Sequence, residues 1–159
     1  MIHPATAHFA IVLPLISLVI GLAYIIKPNE TMSKLSTRFI LAATIFIIIA
    51  FFTGKGDGSE VYMFISGEGQ KLLLEHKEFG LYLAIAMALS AVIKFYGCAT
   101  QTFKAELFAI ILVAFVSGGV LYQAKMGGEL TYTYGAHVLK HSDGMDCLDD
   151  PEEFLEEED

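Results

Sequence analysis

Five histidines are the residues with the clearest chemical potential in this chain: His3, His8, His76, His137 and His141. Imidazole is the commonest metal ligand and the usual axial ligand of b-type haem. His3 and His8 bracket the first turn of an apolar run, His76 leads into another, and His137 and His141 follow a third. A polar side chain one turn inside a membrane helix is unfavourable without a partner, which singles out His8 between Ala7 and Phe9. Against this stands a plainer reading, in which the histidines are polar end-groups at a membrane surface and His3 is only a helix cap.

The elements that must position them are four apolar runs, Ala5–Ile26, Leu35–Thr53, Phe79–Tyr96 and Ala105–Tyr122. The chain is 55% hydrophobic and 18% charged, with a mean hydropathy of +0.58. Charge is segregated away from the apolar runs, as a bilayer solvent requires. Crossing hydrocarbon takes about 20 residues of helix, and bare backbone is not tolerated there, so each run is predicted to be a spanning helix. The expected fold is all-α: a four-helix transmembrane bundle, up-down-up-down, over residues 1–138. A short amphipathic helix is expected before helix three, and an acidic, flexible tail over 139–159. Pro14 should kink the first helix and free the carbonyl of Ala10. The first run has no preceding cation and is too long for a secretory leader.

Serial helices alternate in direction. The N-terminus, the Gly54–Glu78 connection and the tail then share one side, the front, and carry all five histidines. The back end holds Lys27, Lys34, Arg38, Lys94 and Lys104, and the front as many cations in Lys55, Lys71, Lys77, Lys125 and Lys140, but the back connections are short and nearly free of acids, which places the back in the cytoplasm and both termini outside a bacterial inner membrane. Cys98 and Cys147 fall on opposite faces, and the sequence has no CxxC or phosphate-binding glycine motif. The net charge of −8, without a basic aromatic patch, excludes a nucleic-acid partner. No nucleophile–base pair stands out, so no enzyme activity is expected.

A bundle with paired histidines is a standard haem b site. His8 and His76 are the expected ligands of a haem iron, with His3 and His137 as a second pair. Asp57, Glu129 and Tyr132 are placed to orient imidazoles or meet propionates. A bare copper, iron or zinc site is the alternative, built from His3, His8 and His76 with Asp57 or Glu75. A copper site in the tail would use His141, Met145 and Cys147. The functional expectation is a membrane electron-transfer protein, possible subunit of a respiratory complex, with a redox partner docking on the acidic tail. A metal-handling protein and a cofactor-free anchoring subunit are the other two readings. The glycines of Gly54-Lys-Gly-Asp-Gly58 read as a helix end and turn, and Gly118-Gly119 as close helix packing.

Taken together, these residues resemble a family of small bacterial inner-membrane proteins of uncharacterised function. The resemblance rests on His3-Pro4-x-x-x-His8-Phe9, Pro14, Gly54-x-Gly-Asp-Gly58, His76 and Gly127-Gly128-x-Leu130-x-Tyr132-x-x-Gly135. It spans Ile2 to about Val138. Some relatives are fused to Rieske iron–sulfur domains, which implies redox work. Many relatives have histidine where this chain has Tyr134, and this chain has His137 instead.

Overall fold

The computed structural model describes residues 3–136. Four helices account for nearly all of them: α1 (His3–Ile26), α2 (Glu30–Val61), α3 (Gly67–Thr100) and α4 (Phe103–Tyr132). All four are long and apolar enough to cross a membrane. Large apolar side chains point outward along every helix, among them Phe9, Ile45, Phe52, Ile85, Val92 and Phe115. A helix that is apolar all round needs an apolar solvent, so these faces meet lipid.

Each helix packs on its neighbours in chain order, and α4 closes back onto α1. The alternation of direction is visible in side-chain contacts. The start of α1 meets the end of α2 through His3 and Asp57, and the end of α1 meets the start of α4 through Tyr24 and Glu106. The core runs along the bundle axis through Ile40, Ala43, Ile47, Met87, Val113 and Val116.

The helices are longer than the apolar runs. At 1.5 Å per residue, the 34 residues of α3 reach about 51 Å, against about 30 Å of hydrocarbon. The excess lies mostly at the front. The predicted turn at Gly54–Gly58 is instead helical, and α2 continues to Val61. Likewise, no separate amphipathic helix precedes the third span: a single 3₁₀ turn at Tyr62–Phe64 leads directly into α3. Glycine inside a helix is disfavoured by about 1 kcal/mol but not forbidden. Packing offsets it here, because Val61, Ile65, Leu72, Leu73, Leu130 and Ala136 form a second small core above the bundle. Gly127 and Gly128 stay helical in α4 within the same extension.

The starts of α2 and α3 are capped. Asn29 Oδ1 accepts from Met32 N at 2.9 Å, and Ser66 Oγ from Gly69 N at 3.3 Å. The back connections shrink to 27–29 and 101–102. Gln101 closes α3 with a left-handed φ of 55°, while its side chain donates to the Cys98 carbonyl at 3.0 Å. Pro14 is buried in a continuous α1, and its carbonyl accepts from Ser117 Oγ of α4 at 3.2 Å. The tail, with His137, His141, Met145 and Cys147, lies outside the described residues.

Candidate functional site

The front site is built at the level where α1 begins. His3 opens α1, and its backbone N–H donates to Asp57 Oδ2 of α2 at 3.4 Å. Its ring lies over Gly54: a Cβ added there would stand 2.7 Å from His3 Cε1. His3 Nδ1 is 3.3 Å from Thr53 Oγ1, which also bonds Thr6 Oγ1 at 3.0 Å. Glycine at position 54 is therefore what lets an imidazole lie flat against α2.

On the other half of the bundle, His76 of α3 turns toward α4. A Cβ added at Gly127 would come within 3.4 Å of His76 Cε1. Gln123 of α4 donates to the His76 carbonyl at 2.8 Å, and its amide nitrogen would meet a Cβ on Gly80 at 3.0 Å. Among the described residues three buried side-chain polar atoms are left without partners; two of them, His76 Nδ1 and Gln123 Oε1, are here, and the third, Ser36 Oγ, is toward the back end of α2. Buried polar groups are normally paired, so the two orphans on neighbouring α3 and α4 make this the candidate place for a polar partner. His3 and His76 are close enough to act on each other electrostatically.

Other expected members fall elsewhere. His8 is exposed on the outer face of α1, its Nδ1 donating to the Pro4 carbonyl at 2.5 Å. Helical spacing explains this, since His8 and His3 are five residues apart and point away from each other. Glu129 is exposed, and Tyr132 is 90% exposed on the outside of α4. Asp57 does reach the site, where it accepts from the His3 backbone. Tyr134 packs its ring on Gly69 of α3. Among the described residues, no three His, Cys, Asp or Glu side chains gather closely enough to hold a bare metal ion.

A second polar centre sits at the back end, and the sequence reading did not single it out. Lys94 of α3 is fully buried and ion-paired with Glu106 of α4, itself 2% exposed. Glu106 also accepts from Tyr24 OH of α1 at 2.8 Å and from Ser33 Oγ of α2 at 2.5 Å. Lys94 Nζ donates further to the Ser33 carbonyl at 3.2 Å and to Thr37 Oγ1 at 3.3 Å, and lies 4.9 Å from the centre of the Tyr24 ring. All four helices meet in this one network. The signal was present: each charge stands inside an apolar run, where ionisable residues are rare and paired.

The fold and its two polar ends define a class, a small four-helix membrane bundle with polar centres at opposite ends of an apolar core. The chain belongs to the family described as "Predicted membrane protein (DUF2231)", whose match covers residues 1–140. No curated protein and no solved structure matches.

Proposed function

We propose that this protein is a membrane-bound electron-transfer component that holds b-type haem at its front end, with His76 and His3 as the axial pair. The observation that carries the reading is the buried, unpartnered Nδ1 of His76 beside Gly127, at the same level as the His3 ring on Gly54. A bis-histidine haem takes two axial nitrogens, whereas a bare structural or catalytic metal site needs three or four ligands. Among the described residues no three such side chains gather, and this favours the two-ligand reading. Exposure of His8 moves the preferred partner of His76 from His8 to His3.

The group would supply a one-electron couple, and the protein would supply position and dielectric. Gln123 pins the backbone of His76, and Thr53 fixes the ring of His3. Gly54, Gly80 and Gly127 make the room that the His3 ring, the Gln123 amide and the His76 ring occupy. Lys55, Lys77 and Lys125 are the nearby cations in sequence for carboxylate groups. The front end faces outside a bacterial inner membrane in this reading, and the acidic tail presents a docking strip to a basic redox partner.

The test is an absorption spectrum of protein purified from haem-replete cells. Reduced-minus-oxidised spectra should show Soret and α bands in the wild type and in His8→Leu, and lose them in His76→Leu and His3→Leu. A wild type without those bands, or a His76→Leu variant that keeps them in full, overturns the assignment.

A further inference from the structure

The Lys94–Glu106 network has a feature that a sealed structural ion pair does not need. Tyr24 and Ser33, whose hydroxyls donate to Glu106, are also among the residues that line an open cleft at the back end. The cleft holds about 350 Å3, and its other walls are Pro28, Asn29, Glu30, Gln101 and Phe103. Glu106 itself is buried, so these two hydroxyls stand between its carboxylate and the aqueous mouth.

We propose that Glu106 is a proton-binding site of the back face, loaded from this cleft through Tyr24 and Ser33. The step moves no electrons. A hydroxyl gives its hydrogen to a Glu106 carboxylate oxygen and takes one from hydronium in the cleft. The net change is carboxylate plus hydronium to carboxylic acid plus water. What makes the loaded state tolerable is the surroundings of Lys94. Its ammonium keeps the Ser33 carbonyl, Thr37 Oγ1 and the face of the Tyr24 ring when Glu106 becomes neutral. A buried cation that relied on the carboxylate alone would be stranded by the same step.

The groups facing Glu106 come from every helix. α1 brings Tyr24, α2 the hydroxyls of Ser33 and Thr37, and α3 Lys94, with Cys98 an electrostatic neighbour of Tyr24. Glu30 at the cleft wall is paired to Lys34 at 2.5 Å on the exposed side of α2. This inference is independent of the front site and stands whether or not haem binds there.

Infrared difference spectroscopy on the full chain in lipid nanodiscs tests it. Acidifying the folded wild type should raise a carboxylic-acid C=O band that shifts down in D2O and shifts again with carboxyl-labelled glutamate. The Lys94→Met/Glu106→Gln double variant removes both charges together, keeps the cavity filled and should lose that band. Tyr24→Phe should delay its appearance, because one of the two hydroxyl carriers is gone. The proposal is overturned if the labelled wild type shows no such band before unfolding. It is equally overturned if the double variant keeps the band in full, or if Tyr24→Phe and Ser33→Ala load as fast as wild type.

Discussion

Replacing Lys94 by Met separates a buried ion pair from a surface one. Methionine keeps the length and apolar stem of lysine and deletes only the ammonium. The Lys94 side chain is 0% exposed and that of Glu106 is 3% exposed, so solvent screening gives little relief. In the variant, Glu106 retains Tyr24 OH and Ser33 Oγ as donors but has no counter-charge. Leaving one member of a buried pair unpaired costs about 3–5 kcal/mol. That is a large share of the roughly 5–15 kcal/mol by which a domain is stable. Removing both charges in Lys94→Met/Glu106→Gln should restore most of the loss, since apolar or neutral replacements of whole buried pairs are often tolerated. Tyr24→Phe should fall between, at about 1.5–3 kcal/mol, because it deletes one hydrogen bond to a charged acceptor and leaves the ring beside Lys94. The assay is reversible unfolding in mixed detergent micelles, read by circular dichroism, with the double-mutant cycle closed on the same preparation. A Lys94→Met protein within about 0.5 kcal/mol of wild type would refute the reasoning, as would a double variant no more stable than the worse single one; surface pairs give couplings of that small size.

Gly97→Ala should destabilise by about 1–3 kcal/mol in the same unfolding assay, because the new Cβ would stand 2.9 Å from the Glu106 backbone nitrogen and must push α3 off α4. Gly118→Ala, whose Cβ meets nothing within 4 Å, is its neutral control. In a Cys147→Ser background, an impermeant thiol reagent should label Cys98 in inverted vesicles and not in intact cells; the reverse pattern would place the back end outside. Ser117→Ala should destabilise by about 0.5–1.5 kcal/mol, since it removes the hydrogen bond from α4 to the Pro14 carbonyl inside the bundle.

The number of spans, their order and the return of the histidine-bearing ends to one side were legible because they follow from hydropathy and parity. What local pattern could not give was the reach of the helices beyond the membrane. Glycines 54, 56 and 58 signal a turn by propensity, but the helix runs on to Val61, which joins Leu72 of α3 and Leu130 of α4 in the upper core, and that contact is written in no single segment. The angular position of each histidine was a similar matter. His8 looked the better ligand because it lies deeper in α1, yet the buried stripe of that helix is Ala10, Pro14, Ser17, Gly21 and Tyr24. Extending that stripe back by three to four residues leads to Thr6 and His3, and leaves His8 outside it. Lys94 and Glu106 were passed over because each stands at the edge of its run, where a charge ordinarily flanks a span. Only the pairing across α3 and α4 shows that they turn inward.

The two polar centres also constrain each other's role. Between them the core is apolar: Ile40, Ile47, Met87, Val113 and Val116 are buried in contact. The hydroxyls at that depth are spent on backbone carbonyls, Thr44 on Ile40, Ser90 on Ala86 and Ser17 on Leu13. Among the described residues no chain of titratable groups crosses this layer. On the proposal above, protons reaching Glu106 would come from the back, and the front site has no hydrogen-bonded wire to it among the described residues. Any influence of one end on the other must pass through helix position. Gly97 and Gly21, where an added Cβ would meet Glu106 and Ile110 of α4 at 2.7 and 3.0 Å, are points where such a shift would be resisted. Acidifying only the front compartment of oriented vesicles should leave the Glu106 carboxyl band unchanged, while acidifying only the back should raise it. A response to front acidification at the same rate would mean that water crosses the apolar layer, and the separation of the two centres would then fail.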